Sequence, residues 1–369
     1  LVDMHVHLRD PGFTYKEDIF SGAAAAAAGG VTTVACMPNT KPVLDDAETI
    51  RYVLEKAKSA LITVLPYGAV TLGQGGAALA DYAALKAAGA VALSDDGNPV
   101  MSAAVLRRAM ILAKERGLFI SSHCEDAELV GNYAVNEGRV SEALGIPGRP
   151  AIAEELMVAR DCLLARETGA RVHIAHVSAA GSVEILRRAK ADGVAVTAET
   201  CPQYFTLTED EILKRGSLAR VNPPLRTAAD AAAVIEGLRD GTIDAVVTDH
   251  APHSAEEKAR PLTESVSGMI GLETSLAVTL TALYHSKILT LAKVLDILSF
   301  SPAKILRAAA GTLAQGAIAD LVIFDPEEQW VAEPEKFKSK ARNTPFGGVT
   351  LRGRVKYTIS RGKIVYRGE

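Results

Sequence analysis

Apolar, β-branched segments alternate with Ala-, Leu- and charge-rich segments along the first two thirds of the chain. The apolar segments have the length of buried strands, and the segments between them have helical length, several with a terminal glycine. The pattern predicts eight strands, at residues 1–7, 31–37, 61–70, 90–94, 118–123, 171–177, 194–200 and 243–248. It predicts helices between them, including 16–28, 46–60, 102–116, 181–191 and 228–239. Eight β-α units indicate an α/β protein built as a (β/α)8 barrel.

The pattern changes after two further helical segments, at residues 272–284 and 290–306. From Gly316 onward, glycine and proline separate short strands predicted at 319–325, 355–359 and 363–366. Such short strands need apolar partners from elsewhere to be stable. We therefore predict two units, a barrel at residues 1–312 and a small C-terminal β subdomain at 313–369. Because the sequence starts directly at the first barrel strand, we also expect N-terminal β strands to be absent from this chain.

Composition narrows the classes of function. The length of 369 residues suits one barrel with an appendage, and 40 basic against 44 acidic residues give a formal charge of -4 without a Lys/Arg-rich run. This balance argues against nucleic acid as a partner. Apolar segments are too short to cross a membrane and no signal peptide is visible, so we expect a cytoplasmic protein without a membrane partner. The four cysteines are widely separated, so any bound metal must be held by nitrogen and oxygen.

The distribution of histidine carries the strongest chemical signal. Seven of the eight histidines fall at or just after predicted strand ends, and the remaining one, His285, is predicted to lie at the surface. The carboxyl ends of barrel strands form the active-site face, so polar residues collected there indicate chemistry. One such histidine is more often structural than a ligand, but the whole set favours a metal site. The seven are His5, His7, His123, His173, His176, His250 and His253.

Strand geometry sorts these candidates. His5 and His7 are two apart, so they face the same side of a strand and can bind one metal ion. Arg9 follows, as a positive fork suited to a carboxylate. His173 and His176 are three apart and face opposite sides, so we predict His176 as the ligand and His173 in packing or in support of the ligands.

Aspartates join the histidines at two strand ends. Asp95 and Asp96 follow the fourth strand, and Asp249 follows the eighth. Because neighbours on a strand alternate, one of the first two faces the metal and the other is expected to cap a turn or helix. Imidazole and carboxylate ligands at one barrel mouth are a suitable set for zinc.

The same residues form recognisable motifs. Residues 3–12 (DMHVHLRDPG) and 248–253 (TDHAPH), with Lys258 shortly after, resemble the two signature motifs of the dihydroorotase family in the amidohydrolase superfamily. The resemblance covers nearly the whole chain and is greatest to the long-chain class, which includes bacterial enzymes. Dispersed matches are MPNT at 37–40, SDDG at 94–97, HCED at 123–126, HVS at 176–178, NPPLR at 222–226 and NTPF at 343–346.

The resemblance implies a distorted barrel and one or two zinc ions per chain, with two expected. By this comparison His5 and His7 hold one zinc, and His123 and His176 hold the second. Asp249 binds the first zinc and serves as catalytic acid and base. Many relatives bridge the metals with a carboxylated lysine on strand four, and here Asp96 is expected to replace it.

The resemblance also implies the reaction, the reversible cyclisation of N-carbamoyl-L-aspartate to (S)-dihydroorotate in pyrimidine (UMP) biosynthesis. Arg9, Asn39 and His253 are expected to hold the substrate carboxylate, and Asn222 to contact the ring amides. Ser267 and Gly268 occupy a loop position where relatives carry a Phe-Gly pair.

Two other functions stay open. A hydantoinase or allantoinase shares the metal scaffold, and Cys201-Pro202 after Glu199-Thr200 resembles a hydantoinase strand end. Arg9 argues against this alternative, because a ring without a carboxylate gives no reason for a guanidinium there. The other alternative is a catalytically silent scaffold for aspartate transcarbamoylase, which should have lost metal ligands. Partners left open are a second copy of the chain, as a homodimer, and the transcarbamoylase.

Overall fold

The barrel is formed by eight parallel strands, as predicted. The computed structural model describes residues 1–368. Strands β1–β3 form one sheet and β4–β8 another, and single bridges at Gly68–Leu93 and Val6–His250 join the two sheets into a closed ring. The (β/α)8 barrel is therefore confirmed, and it is distorted at these two seams. The strands are β1 Val2–Val6, β2 Thr33–Cys36, β3 Thr63–Pro66, β4 Leu93–Ser94, β5 Ile120–Ser122, β6 Val172–Ile174, β7 Val196–Thr200 and β8 Ala245–Val246.

Most barrel strands end earlier than the sequence pattern predicts. The apolar pattern continues into the mouth of the barrel, where the backbone has already left the sheet. His176 (φ 36°) and Asp249 (φ 47°) lie in the left-handed region, which interrupts the strand ladder. The strands themselves are buried on both faces, as parallel strands covered by helices are.

Helices cover the outside of the barrel and are capped by their own sequence. Asp18, Asp46, Ser102 and Thr227 each accept backbone N–H groups at a helix start. The helices are α1 Ile19–Ala28, α2 Ala47–Ala57, α3 Tyr82–Ala88, α4 Ala103–Glu115, α5 Ala127–Val130, α6 Arg139–Leu144, α7 Ile152–Thr168, α8 Ala180–Ala191, α9 Pro202–Thr206, α10 Glu211–Arg215, α11 Ala228–Asp240, α12 Ala255–Lys258, α13 Ser275–Thr279, α14 Leu291–Leu295 and α15 Ser301–Leu306. No helix within residues 1–368 is long and apolar enough to cross a membrane.

The C-terminal strands form an antiparallel sheet in the order β11-β10-β9, with β9 Leu321–Val331, β10 Thr350–Ser360 and β11 Lys363–Arg367. The first two strands are longer than predicted. The predicted strand ended at residue 325, before Pro326. However, β9 is an edge strand that pairs only with β10, and an edge strand tolerates proline on its free side. Gly353 (φ 99°) lies in β10 where the register with β9 shifts, so the strand continues through a bulge.

This sheet packs closely against the barrel. Val355 belongs to the main core, and Thr358 Oγ1 donates a 2.6 Å hydrogen bond to the Ala27 carbonyl at the end of α1. Residues 332–349, between β9 and β10, place buried side chains such as Asn343 beside the barrel mouth. The division between a barrel and a C-terminal subdomain after residue 312 stays a prediction. His285 is half-buried, and its Nε2 lies 2.8 Å from the Pro326 carbonyl. Its predicted surface position is therefore wrong, because β9 covers it.

Candidate metal centre and active site

The six predicted metal ligands converge at the carboxyl end of the barrel and are all buried. They lie on or just after β1, β4, β5, β6 and β8. We call this group, His5, His7, Asp96, His123, His176 and Asp249, the metal wall.

Within the metal wall the predicted ligands form two groups around one carboxylate. His7 Nε2 lies 3.0 Å and His5 Nε2 3.5 Å from Asp249 Oδ1. On the other side, His123 Nδ1 and His176 Nε2 are 2.8 Å apart. The carboxylate of Asp96 lies between these groups. Its Oδ1 is 3.4–3.5 Å from the facing nitrogens of His5, His123 and His176. Its Oδ2 is 3.4 Å from His7 Nε2.

The donor set fits a zinc-type cation. Two triads, His5–His7–Asp249 and His5–Asp96–His176, each bring three ligand atoms within 4.8 Å of one another. His5 Nε2 and Asp96 Oδ1 are buried without a hydrogen-bond partner among the described residues, and such atoms are costly unless something binds them. Nitrogen and oxygen ligands of this kind are those that zinc accepts.

The charges of the cluster are strongly coupled. Burial opposes ionisation of Asp96, but the facing His5, His123 and His176 hold its pKa well below the usual range. Burial also opposes protonation of His5, yet Asp96 and Glu199 raise its pKa well above the usual range. The carboxylates therefore require positive charge beside them, which protons on the imidazoles or bound cations can supply.

A buried glutamate that the sequence analysis did not select supports the first group. Glu199 Oε1 lies 2.6 Å from His5 Nδ1, and its Oε2 lies 3.0 Å from His173 Nε2. His173 Nδ1 contacts Thr197 Oγ1 at 2.8 Å, so His173 has the supporting position that strand geometry predicted. A carboxylate on the outer nitrogen of a ligand histidine fixes its ring and tautomer, which leaves His5 Nε2 directed at the metal wall.

Glu125 supports the second group in the same way. Its Oε2 lies 3.1 Å from His123 Nε2, and both its oxygens accept from Arg149 Nη1 at 3.1–3.2 Å. Burial opposes ionisation of Glu125, but His123 and Arg149 outweigh this and lower its pKa to about 2. His123 therefore presents Nδ1, and not Nε2, to the metal wall.

Asp95 and Asn39 occupy the periphery of the cluster. Asp95 accepts from the backbone of Val70 at 2.8 Å and of Thr71 at 3.1 Å, so it caps the turn after β3, as expected for the second carboxylate of the pair. The Asn39 side chain is engaged with His7 Nδ1 at 2.8 Å and with the Asp96 carbonyl at 3.4 Å. Asn39 therefore reaches the cavity but also supports the metal wall.

A second group of residues that line the cavity carries positive charge and hydrogen-bonding groups. We call Arg9, His253, Ser267 and Gly268 the anion wall. Arg9 Nε donates to the Pro252 carbonyl at 3.2 Å, and its Nη2 lies 3.3 Å from His253 Nε2. His253 Nε2 donates to the Ser267 carbonyl at 2.8 Å, and Lys16 Nζ is 3.3 Å from His253 Nδ1. The wall thus presents a fixed guanidinium beside a tightly held imidazole.

His253 is uncharged in this wall. Burial, reinforced by the charges of Arg9, Lys16 and Lys258, lowers the pKa of His253 to about 2. The cation that faces the cavity is therefore Arg9. Its backbone (φ 59°), like that of His176 and Asp249, is left-handed, and such strain in non-glycine residues is typical of functional sites.

The two walls enclose a cavity of about 540 Å³, including its open mouth, which suits a small ring. Eleven of the twelve predicted site residues line it, and His5 lies just beneath. Asn222 is among the lining residues, and its side-chain amide is not engaged by any residue in 1–368.

The barrel and its buried metal wall define the class of protein: the chain is a cyclic amidohydrolase. Its fold matches the L-hydantoinase (dihydropyrimidinase) of Arthrobacter aurescens with a TM-score of 0.89 at 27% identity, covering 100% of this chain and 85% of that one. The D-hydantoinase of a Thermus species matches with a TM-score of 0.82 at 26% identity, covering 99% and 84%.

Sequence comparison narrows the class to one family. Residues 1–182 match the family model described as dihydro-orotase-like. The chain is 52% identical to the dihydroorotase of Clostridioides difficile strain 630, over 99% of this chain and 86% of that protein. It is 50% identical to the dihydroorotase of Geobacter metallireducens, over 100% and 87%. The chain belongs to the dihydroorotase family.

Proposed function

We propose that the chain interconverts N-carbamoyl-L-aspartate and (S)-dihydroorotate, the reaction that serves de novo pyrimidine synthesis. One observation carries this proposal: Arg9 faces the same cavity as the metal wall. The reaction needs a bound metal beside the ring amide and a cation beside the substrate carboxylate. The predicted metal ligands and Arg9 line the same cavity.

The metal is proposed to be zinc, with two ions per chain. His5, His7 and Asp249 would hold one ion, and His123 and His176 the other, with Asp96 between them. Bound zinc supplies Lewis-acid activation of water and of a carbonyl group. The six ligands are complete, which argues against a silent scaffold.

The protein's own groups would then orient the substrate and move its proton. The Arg9 guanidinium binds the carboxylate, and Asn222, whose amide is free, contacts the ring amides. Only Oδ1 of Asp249 faces the histidines, so its other oxygen is left to exchange a proton with the ring nitrogen. In ring opening Asp249 accepts a proton from the attacking water and delivers it to the leaving nitrogen as the amide C–N bond breaks. In cyclisation it takes the proton from that nitrogen as the C–N bond forms and returns it to the oxygen that leaves as water.

Hydantoinase is the second candidate, because the matching solved folds include hydantoinases. Two observations favour dihydroorotate. The relatives that are about half identical are dihydroorotases, and Arg9 has no partner in an uncharged ring. A cytoplasmic location, a homodimer and a transcarbamoylase partner stay predictions.

The test is turnover of dihydroorotate and of hydantoin by the purified protein, with zinc supplied and after chelation. We expect dihydroorotate to open much faster than hydantoin, and activity to disappear on chelation and return with metal. Preference for hydantoin would support the second candidate. If the protein opens neither ring with zinc present, the result would support the alternative of a catalytically silent scaffold.

A further inference from the structure

Lys258 is a buried lysine whose ammonium group is held by backbone carbonyls. It follows the metal wall by nine residues, at the end of α12, and is only 4% exposed, which is unusual for lysine. Its Nζ donates to the carbonyls of Val266 at 3.0 Å, Gly268 at 3.1 Å and Arg220 at 3.4 Å. These three acceptors match the three N–H groups that an ammonium offers. Two of them belong to the loop that forms part of the anion wall.

Asn343 holds the same loop from the other side. Its Nδ2 donates at 3.0 Å to the carbonyls of both Ala251 and Gly268, and its Oδ1 accepts from the His253 backbone at 3.2 Å. Asn343 is also buried, and it arrives from the segment between β9 and β10. The side chains of Lys258 and Asn343 thus meet at one carbonyl, that of Gly268.

The backbone at Gly268 packs directly on the anion wall. Gly268 has a φ of 131°, and a Cβ added there would lie 2.7 Å from Ala251 Cβ and 3.1 Å from His253 Nε2. Its neighbour Ser267 accepts the 2.8 Å hydrogen bond that orients the His253 ring. A displacement of this loop therefore moves His253, and with it the surroundings of Arg9.

We propose that Lys258 and Asn343 are positioning residues that fix the anion wall so that it fits a carboxylate-bearing ring. The inference rests on the proposed function. Neither side chain is among those that line the cavity, so both act through the Ser267–Gly268 loop and His253. The metal wall has its own supports, Glu199 and Glu125, so loss of the positioning residues should leave metal binding intact.

The experiment compares dihydroorotate with its methyl ester, which keeps the ring and removes the negative charge. The variants are Lys258→Met, which removes the three donors, Lys258→Arg, which keeps the charge, and Asn343→Leu, which has a similar size but removes the amide without adding a charge. Lys190→Met is the matched control, because Lys190 Nζ also donates to a carbonyl, that of Gly241, away from the cavity. Metal content and thermal stability are measured for each protein.

For Lys258→Met and Asn343→Leu we expect KM for dihydroorotate to rise about tenfold, with kcat and metal content nearly unchanged, as a misplaced binding group predicts. The preference for the acid over its ester should fall by a similar factor. Lys258→Arg should recover part of the loss, and Lys190→Met should show none.

Equal losses on acid and ester, or an unchanged KM in folded Lys258→Met and Asn343→Leu proteins, would overturn the positioning role. If Lys258→Met does not fold, Asn343→Leu gives the decision alone. Failure of the unmodified protein to open dihydroorotate would instead overturn the proposed function.

Discussion

The metal wall and the anion wall line one cavity but are built in different ways. The metal wall lies at strand ends, and its histidines are held by buried carboxylates, as Glu199 holds His5 and Glu125 holds His123. The anion wall lies on loops, and its groups are held by bonds to backbone carbonyls, as Ser267 holds His253. Under the proposed function, this difference assigns the chemistry to the barrel core and the choice of substrate to loops, which could change without disturbing the metal ligands.

The largest expected effect is on the metal wall itself. Asp249→Asn removes the proton-accepting oxygen and weakens one metal ligand, so kcat in both directions should fall about 1000-fold or more. Asp244→Asn is the matched control, at the opposite end of β8, where Asp244 pairs with Lys190. The control should keep its kcat within about twofold, because residues at that end of a barrel contribute to stability. Comparable kcat values in the two variants would refute the assignment of Asp249.

A second change tests whether Asp96 joins two metal sites. Asp96→Asn should lower the metal content from about two to about one ion per chain, because an amide is a much poorer bridge than a carboxylate. Asp95→Asn changes the adjacent carboxylate, which caps a turn, and should keep the full content. The check is elemental analysis after dialysis against buffered zinc. Two tightly held ions in Asp96→Asn would rule out the bridging role.

A smaller effect is expected for the glutamates that hold the predicted metal-binding histidines. Glu199→Gln keeps the shape that orients His5 but removes the charge, so metal affinity should fall about 10- to 100-fold. With saturating zinc, kcat should recover. Glu273→Gln is the control, because Glu273 is a half-buried glutamate that accepts from the backbone of Lys338 and Ser339, away from the predicted ligands. Competition with a chromophoric chelator measures the affinity, and an unchanged value in Glu199→Gln would remove its supporting role.

The smallest effect concerns the anion wall and pH. His253 has its pKa lowered to about 2 in the folded chain, from an ordinary value of 6.5, so only the unfolded chain binds this proton as pH falls below 6.5. Its contribution to the free energy of unfolding should therefore decrease by about 1 kcal/mol between about pH 7.5 and pH 5.5. His253→Gln should lose this part of the acid sensitivity, as measured by urea unfolding of both proteins with equal metal content. Parallel pH curves for the two proteins would show that folding does not lower the pKa of His253.

The sequence predicted the metal wall better than its supports. The alternation of apolar, β-branched segments with helical segments predicted the eight strands. The strand ends then brought the candidate histidines and aspartates to one mouth, because parallel strands all end on the same face, and the family resemblance selected Asp96 over Asp95. The extent of β9 past Pro326 was missed, because an edge position cannot be recognised without knowing which strand lies beside it.

Glu199 and Glu125 were also missed as supporting residues. Each contacts a histidine, but Glu199 does so across 194 positions of sequence, and no local spacing reports such a contact. Glu125 is two residues from His123 in a motif that the sequence analysis did identify, so the i, i+2 spacing was the available signal. Lys258 and Asn343 belong to motifs that the sequence analysis identified. Their shared hydrogen-bond acceptor, the Gly268 carbonyl, is visible only in the folded structure.

The metal wall is proposed to open the ring, and Arg9 to select a ring with a carboxylate. The most direct measurement is kcat/KM for dihydroorotate and for its methyl ester, in the unmodified protein and in Arg9→Met. We predict that the variant loses about 100-fold on the acid, the value of a buried charged hydrogen-bond pair, while the ester changes by less than about threefold. Equal losses on both substrates, or no loss on the acid, would contradict the account.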